Sequence, residues 1–121
     1  MKNILILSRD LFLLLILVSV QQFSFGQKTE KIFYDKEWKG SIESKASFYR
    51  IVSFDNNRKP VGKILDYYIS GELQAEADGA IYIDRKNDEN SLFIGKSTGY
   101  YKSGKKKFEN YHDSLGEYQS Y

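Results

Sequence analysis

Residues 61–71 read VGKILDYYISG, and residues 94–104 read IGKSTGYYKSG. The two stretches share Gly-Lys, Tyr-Tyr and Ser-Gly at the same offsets, and an aliphatic residue precedes the first glycine of each. This agreement indicates an internal repeat. A repeat this short cannot bury an apolar face alone and becomes stable only by packing against its neighbours, so it decides the architecture of the chain.

The residues of the first copy alternate as an extended chain would. Leu65 and Tyr67 fall on one side, and Ile64 and Asp66 fall on the other. The Ser-Gly pair predicts a tight reversal, because glycine adopts positive φ without steric cost. Residues 72–77 then alternate polar and apolar, as in a half-buried returning strand. Each copy is therefore predicted to form a β-hairpin.

A third, truncated copy begins near Gly116, because Tyr121 follows Gly116 at the distance at which Tyr67 follows Gly62. We place the repeats near residues 61–83, 94–112 and 115–121. The glycines that define the repeat, and that we expect to be structural, are Gly62, Gly71, Gly95, Gly104 and Gly116.

Residues 46–54 are the best strand candidate outside the repeats. Phe48, Val52 and Phe54 lie to one side, and Tyr49 and Ile51 lie to the other. Because both faces are apolar, we expect an interior strand rather than an edge strand.

Shorter segments complete the predicted sheet. Strands are expected at residues 32–34, 80–83 and 115–121, polar residues 27–30 are expected to be disordered, and residues 84–91 are expected to form a flexible charged loop. The predicted fold class is all-β: an antiparallel meander of repeated β-hairpins over residues 27–121, forming an elongated single-layer twisted sheet. A signal-peptide helix precedes it.

The N-terminus has the features of a secretory signal peptide. Lys2 and Arg9 precede an apolar run at residues 11–20, and Ser24 and Gly26 supply small residues before a cleavage point. We predict cleavage after residues 1–26 and export to the periplasm or the cell exterior of a bacterium. The alternative is an uncleaved anchor, although the run is shorter than the roughly 20 residues that cross a bilayer.

Composition excludes several function classes. Removal of residues 1–26 leaves 16 basic against 15 acidic side chains, which argues against nucleic-acid binding. The chain has no cysteine and one histidine, which excludes disulfides and makes a zinc site improbable. Its glycines fall at repeat positions rather than in a phosphate-binding loop. We expect no metal and no cofactor.

Two groups of acidic or polar residues are candidate chemical sites. His112, Asp113 and Ser114 are consecutive, and consecutive residues point to opposite faces of a strand or splay apart in a turn, so they do not form a relay. Asp84, Asp88 and Glu89 lack the spacing of a calcium loop and are more typical of a solvated loop. We predict that no residue is catalytic and that the protein is not an enzyme; a hydrolase with an acidic pair has no supporting spacing.

Two surface features could carry an interaction. One is the group of lysines around the second Ser-Gly turn, comprising Lys102, Lys105, Lys106 and Lys107. It could bind an anionic lipid or an acidic partner, or it could provide solubility and edge protection. The other is the repeated tyrosines Tyr67, Tyr68, Tyr100 and Tyr101, which could pack across strands or present rings to a peptide or glycan.

The C-terminal half resembles the MORN-repeat variants, the group that includes antitoxin components of the YwqK type. The resemblance depends on Gly62, Tyr67, Tyr68, Ser70, Gly71 and Leu73, on Gly95, Tyr100, Tyr101, Ser103 and Gly104, and on Gly116 and Tyr121. It implies a toxin-neutralising partner. The chain departs from the pattern in its spacing, since 33 residues separate Gly62 from Gly95 and 21 separate Gly95 from Gly116.

Residues 31–50 look like the N-terminal region of some exported proteins of the TonB energy-transducer type. That resemblance implies a sensory or spacer module without the C-terminal partner-binding domain of those proteins. We therefore expect an exported, non-catalytic β-repeat module for protein or envelope-surface interaction, with an antitoxin-like partner and a transducer fragment as alternatives. The expected partner is a protein, with an anionic lipid surface or a glycan as alternatives, and strand-edge pairing with another chain stays open.

Overall fold

The computed structural model describes residues 26–119, which form a single antiparallel sheet of seven strands. Neighbouring strands in the sheet are also neighbours in the sequence. They are β1 (Gln27–Tyr34), β2 (Phe48–Asp55), β3 (Pro60–Tyr68), β4 (Leu73–Tyr82), β5 (Leu92–Tyr100), β6 (Lys106–His112) and β7 (Tyr118–Gln119). The predicted all-β antiparallel meander is confirmed, and β2 is the interior strand that its two apolar faces indicated.

The helical structure of residues 26–119 consists of two short 3-10 turns, Glu43–Lys45 and Asp88–Asn90. In this part of the chain no helix has both the length and the apolar character that a membrane span requires. The predicted signal peptide, residues 1–26, lies outside the described residues except for Gly26. Cleavage and anchoring both stay predictions.

The two repeat copies form corresponding hairpins, β3–β4 and β5–β6. Gly62 and Gly95 lie inside β3 and β5 with φ of +75° and +73°, at positions where the strand pairing shifts by a bulge. Gly71 and Gly104 lie in the turns with φ of +107° and +90°. The predicted hairpins and their Ser-Gly reversals are therefore confirmed.

Five of the turns share one hydrogen-bond pattern. The N–H of the first residue donates to the carbonyl of the fifth, and the N–H of the fourth donates to the carbonyl of the first. The turns with this pattern begin at Asp35, Asp55, Tyr68, Tyr101 and Asp113. Their fourth residues all have positive φ, and these are Trp38, Arg58, Gly71, Gly104 and Gly116. The pattern thus requires the left-handed region that glycine adopts most easily.

Gly116 accordingly occupies the place of Gly71 and Gly104 in the hairpin turn. The prediction that aligned Gly116 with Gly62 as the start of a third copy is wrong, because the pairing places it after β6 rather than inside a strand. The strand expected over residues 115–121 is shorter than predicted within the described residues, where β7 covers Tyr118–Gln119.

Gly71→Val and Gly104→Val are each expected to lower the free energy of unfolding by about 1–3 kcal/mol, because a β-branched residue resists positive φ. A Cβ at either glycine would meet no atom within 4 Å, so the loss would come from the backbone. Chemical denaturation measures it. Ser103→Val in the same turn is the control, with an expected change below about 0.5 kcal/mol. Unchanged stability in both glycine variants would contradict the turn assignment.

Three predicted boundaries need correction. The strand predicted at residues 80–83 is the end of β4, which runs without interruption from Leu73 to Tyr82. The pairing of β4 with β5 continues across two register shifts. Residues 27–30, predicted to be disordered, pair with β2 as part of β1. Residues 84–91, predicted to be flexible, are held by hydrogen bonds to β1 and to the β1–β2 connection.

The core lies on one face of the sheet. Its buried members are Ile32, Tyr34, Val52, Ile64, Ala77, Ala80 and Ile83, with Trp38, Phe54 and Phe93 packed against them. On the other face Tyr49 stacks on Tyr67 with ring centroids 5.0 Å apart. The core face is partly covered by two connecting segments, residues 35–47 and 83–91, which contact each other.

Candidate binding groove

A groove of about 490 Å³ lies on the core face of the sheet, between β2 and β6. The residues that line it belong to strands β2 to β6 and to the two connecting segments. We call this space the groove; it is lined by Glu37, Trp38, Arg50, Ile64, Asp66, Gln74, Ala75, Glu76, Ala77, Asp88, Glu89, Phe93, Ser97, Lys107, Phe108, Asn110 and His112. The strand register brings lining residues of β3, β4 and β6 into one row. Asp66 pairs with Ala75, Ala75 with Gly99 of β5, and Gly99 with Phe108.

Arg50 lies at the inner end of the groove and is only 1% exposed. Its Nε and Nη2 donate to the two carboxylate oxygens of Asp66, at 2.7 and 2.8 Å. Its Nη1 and Nη2 donate to the two oxygens of Asp88, at 2.6 and 3.0 Å. One guanidinium therefore holds two carboxylates by bidentate contacts, the strong geometry for this pair.

Aromatic rings enclose the same guanidinium. Its central carbon lies 5.1 Å from the ring centroids of Tyr34 and Phe93 and 5.8 Å from that of Trp38, within cation–π range. The Tyr34 hydroxyl donates to the carbonyl of Asp84 at 2.8 Å. Burial raises the pKa of Tyr34 well above its usual range, so this hydroxyl stays protonated and can donate.

The charges of this cluster depend on each other. Burial alone would lower the pKa of Arg50, but the hydrogen bonds to Asp66 and Asp88 raise it, and the guanidinium stays charged. Burial raises the pKa of the Asp66 carboxyl, and the contact with Arg50 opposes that shift. The inner groove therefore carries one cation against two acidic groups.

Local turn chemistry places Asp88 over the sheet. The Asp84 carboxylate accepts hydrogen bonds from the N–H groups of Lys86 and Asn87, at 2.8 and 3.0 Å. The hydrogen bond from Asn87, and then that from Lys86, lower the pKa of Asp84. The N–H of Asp88 donates to the carbonyl of Trp38 at 3.0 Å, which ties the two connecting segments together. The predicted flexible loop is thus the support of the groove.

Trp38 forms one wall and has a strained backbone. Its φ is +60°, a value that is an outlier for a bulky residue. Its ring stacks on Phe48 at 4.3 Å between centroids, and it is half-buried. The same ring lies beside Arg50, with its centroid 5.8 Å from the guanidinium carbon.

Two buried polar atoms face no partner in this region. The Gln74 Oε1 and the His112 Nδ1 make no hydrogen bond within residues 26–119. Both residues line the groove, with the Phe108 ring between the strands that carry them. The ring fits against β5 because Gly99 has no side chain; a Cβ there would overlap Phe108. Buried polar groups are normally paired, so the lack of a partner for these two atoms within residues 26–119 is unusual.

The carboxylates of Asp66, Asp88 and Asp113 are engaged in hydrogen bonds within the fold. Both inner carboxylates are engaged by Arg50, and Asp113 accepts hydrogen bonds from the N–H groups of Leu115 and Glu117, both at 2.9 Å, inside its turn. Residues 26–119 contain no group of three or more side chains of the usual metal-binding types placed to share an ion.

The predicted lysine surface is exposed at the tip of the β5–β6 hairpin. Its four members make different contacts there. Lys102 lies over the Tyr68 ring at 5.5 Å, and Lys107 lies over the Tyr101 ring at 5.5 Å. Lys106 pairs with Glu109 at 3.2 Å, while Lys105 is exposed. The structure brings these lysines together, but only Lys107 reaches the groove.

The predicted tyrosines are not gathered into one surface. Tyr67 stacks on Tyr49 on the outer face, whereas Tyr68 packs against Phe48 on the core face. The Tyr68 hydroxyl donates to the carbonyl of Tyr100 at 2.6 Å and so links the two repeat hairpins. Of the four tyrosines, Tyr101 is the one exposed at the tip. Packing therefore accounts for most of them.

Sequence reasoning missed the main members of the groove. Arg50 and Asp66 each share the phase of inward-facing apolar residues, Val52 and Ile64, and they are direct cross-strand partners. Two opposite charges at inward-facing positions of adjacent strands are a sequence pattern that could have predicted the Arg50–Asp66 pair. Asp88 gave no comparable signal, because its contact with Arg50 spans 38 residues.

Comparison with protein-family models, with curated proteins and with solved structures gives no match to this chain. The resemblances to MORN-repeat variants and to TonB-type transducers stay predictions.

Proposed function

We propose that this protein is a non-catalytic binding module that works outside the cytoplasm and recognises a partner protein through the groove. The observation that carries the proposal is the pair of buried, unpartnered polar atoms, Gln74 Oε1 and His112 Nδ1, within a groove that has aromatic walls. A concave site with apolar walls and a few polar groups is the usual form of a binding site.

The support beneath the groove agrees with this role. Arg50 is held by two carboxylates and three rings, so the inner end is rigid before any partner arrives. Rigid sites lose less conformational entropy on binding. The backbone of Trp38, beside the groove, has a strained positive φ, and strained residues are common at functional sites. A toxin-neutralising role would be one form of the same proposal.

Affinity capture from bacterial envelope extracts tests the proposal. Asn110→Trp fills the groove and is expected to abolish capture of the partner, while circular dichroism and the melting temperature show that the sheet is intact. Lys28→Trp is the matched control, because Lys28 lies on β1 outside the groove with its side chain 83% exposed. Capture that survives Asn110→Trp, or that Lys28→Trp abolishes equally, would contradict the proposal.

A further inference from the structure

Negative charge prevails around the groove. Five acidic residues border it against two basic ones, and one of the five, Glu76, pairs with Lys63, which lies outside the groove lining. Arg50 is already engaged by Asp66 and Asp88. The carboxylates of Glu37 and Glu89 are exposed at the rim and have no ion-pair partner among residues 26–119. A positively charged group would therefore be attracted to the groove, whereas the chain without residues 1–26 is close to neutral as a whole.

The unpaired Gln74 Oε1 favours a ligand that carries hydrogen-bond donors. The Gln74 Oε1 is an acceptor only, and it makes no hydrogen bond within the described residues. An anionic group brings acceptors and would leave this oxygen unpaired. Ammonium and guanidinium groups bring several donors and no acceptor, so they match both the charge and the hydrogen-bonding need.

The aromatic walls also suit a cation. Arg50 already lies within 5.8 Å of the Trp38 centroid and 5.1 Å of the Phe93 centroid, which demonstrates that this environment accommodates a guanidinium. Phe108 adds a third ring to the groove lining. Arginine and lysine side chains bury their methylene stems against such apolar surface while keeping the charge near acceptors.

We propose that the groove takes an arginine or lysine side chain from a segment of the partner protein, with Glu37 and Glu89 as its counter-charges. The inference rests on the proposed function and names the partner's chemistry. Arginine suits the site better than lysine, because its planar guanidinium offers five donors and stacks on aromatic faces.

Trp38 supplies the test, because it is the only tryptophan of the chain and lines the groove. Its fluorescence is followed during titration with tetra-arginine, tetra-lysine, tetra-citrulline and tetra-glutamate peptides. Citrulline keeps the shape of arginine without its charge. Tetra-arginine is expected to bind at least about tenfold tighter than tetra-citrulline, and tetra-glutamate is expected not to bind.

Glu37→Gln with Glu89→Gln is expected to weaken tetra-arginine binding about tenfold. Glu43→Gln with Glu117→Gln removes the same charge from exposed sites outside the groove and is expected to change it less than about twofold. Equal binding of arginine and citrulline peptides, or equal loss in both double variants, would overturn the inference.

Capture of the partner and binding of arginine peptides are separate measurements. If capture of the partner depends on Asn110 but arginine peptides do not bind, the chemistry assigned to the partner is wrong and the groove is still its site. If tetra-arginine binds as expected but capture is indifferent to Asn110→Trp, the groove accepts cations without being the place of partner recognition, and the inference about the partner falls with the proposed function.

Discussion

Replacing Arg50 with methionine is expected to lower the free energy of unfolding by about 3–5 kcal/mol, because it leaves two carboxylates near the core without their counter-charge. Asp66 is 6% exposed, so water cannot take over the role of the guanidinium there. Domains of this size have total stabilities of about 5–15 kcal/mol. Urea denaturation followed by far-ultraviolet circular dichroism measures the loss, which should rank among the largest of any single substitution.

The matched control removes all three charges together. Arg50→Met with Asp66→Leu and Asp88→Asn leaves no unpaired ion, and it is expected to recover most of the stability that the single change removes, since replacing a whole buried ion cluster with uncharged groups is often neutral. A single variant within about 1 kcal/mol of the parent protein would show that Arg50 does not organise this region.

Gly40→Ala is expected to cost about 3 kcal/mol, through steric overlap and the loss of a connection. The N–H of Gly40 donates to the carbonyl of Lys86 at 2.8 Å, where the two connecting segments meet. A Cβ at Gly40 would overlap the backbone oxygen of Arg85 and lie 3.2 Å from the Cα of Lys86. Backbone atoms cannot rotate away as a side chain can, so the segments must separate.

The same substitution should also affect the groove. Separation of the segments would draw Asp88 away from Arg50, since Asp88 and Trp38 are joined through the backbone. We expect a lower denaturation midpoint and a changed Trp38 emission maximum in Gly40→Ala. Ser41→Ala, one residue further along, is expected to change the free energy of unfolding by less than about 0.5 kcal/mol. A Gly40→Ala protein with the parent's midpoint and emission would contradict the close approach.

The repeat made much of the fold predictable. Glycine at fixed offsets specified where positive φ occurs, and Gly71 and Gly104 have it where the Ser-Gly reversals were predicted. Alternation along residues 46–54 indicated an interior strand, which is β2. These features are local, because turn chemistry and strand period are written within a few neighbouring residues.

The groove was less predictable because its contacts are distant in sequence. Tyr34 reaches Asp84 across 50 residues, and Arg50 reaches Asp88 across 38. Charged residues at 84–91 predicted a solvated loop, which is the ordinary behaviour of such a run. Only the fold, by placing that run over the buried Arg50, shows that one of its acids is a structural partner.

Two of the turns have a residue other than glycine at the position of positive φ, and the sequence did not indicate them. Trp38 and Arg58 occupy the turn position that Gly71, Gly104 and Gly116 fill elsewhere. A search for glycine therefore detects some of these turns and misses the others. Asp35 and Asp55 are the better signal, since each accepts hydrogen bonds from the N–H groups two and four residues later.

Site-specific photo-cross-linking in living cells tests most directly whether the groove is the recognition surface. A photoreactive side chain replaces Asn110 in the groove, Lys105 at the exposed hairpin tip, or Lys28 on β1. We expect a discrete protein adduct from position 110 alone. Adducts from position 105 or 28, with none from 110, would contradict it and move recognition to the lysine surface or to the edge of the sheet.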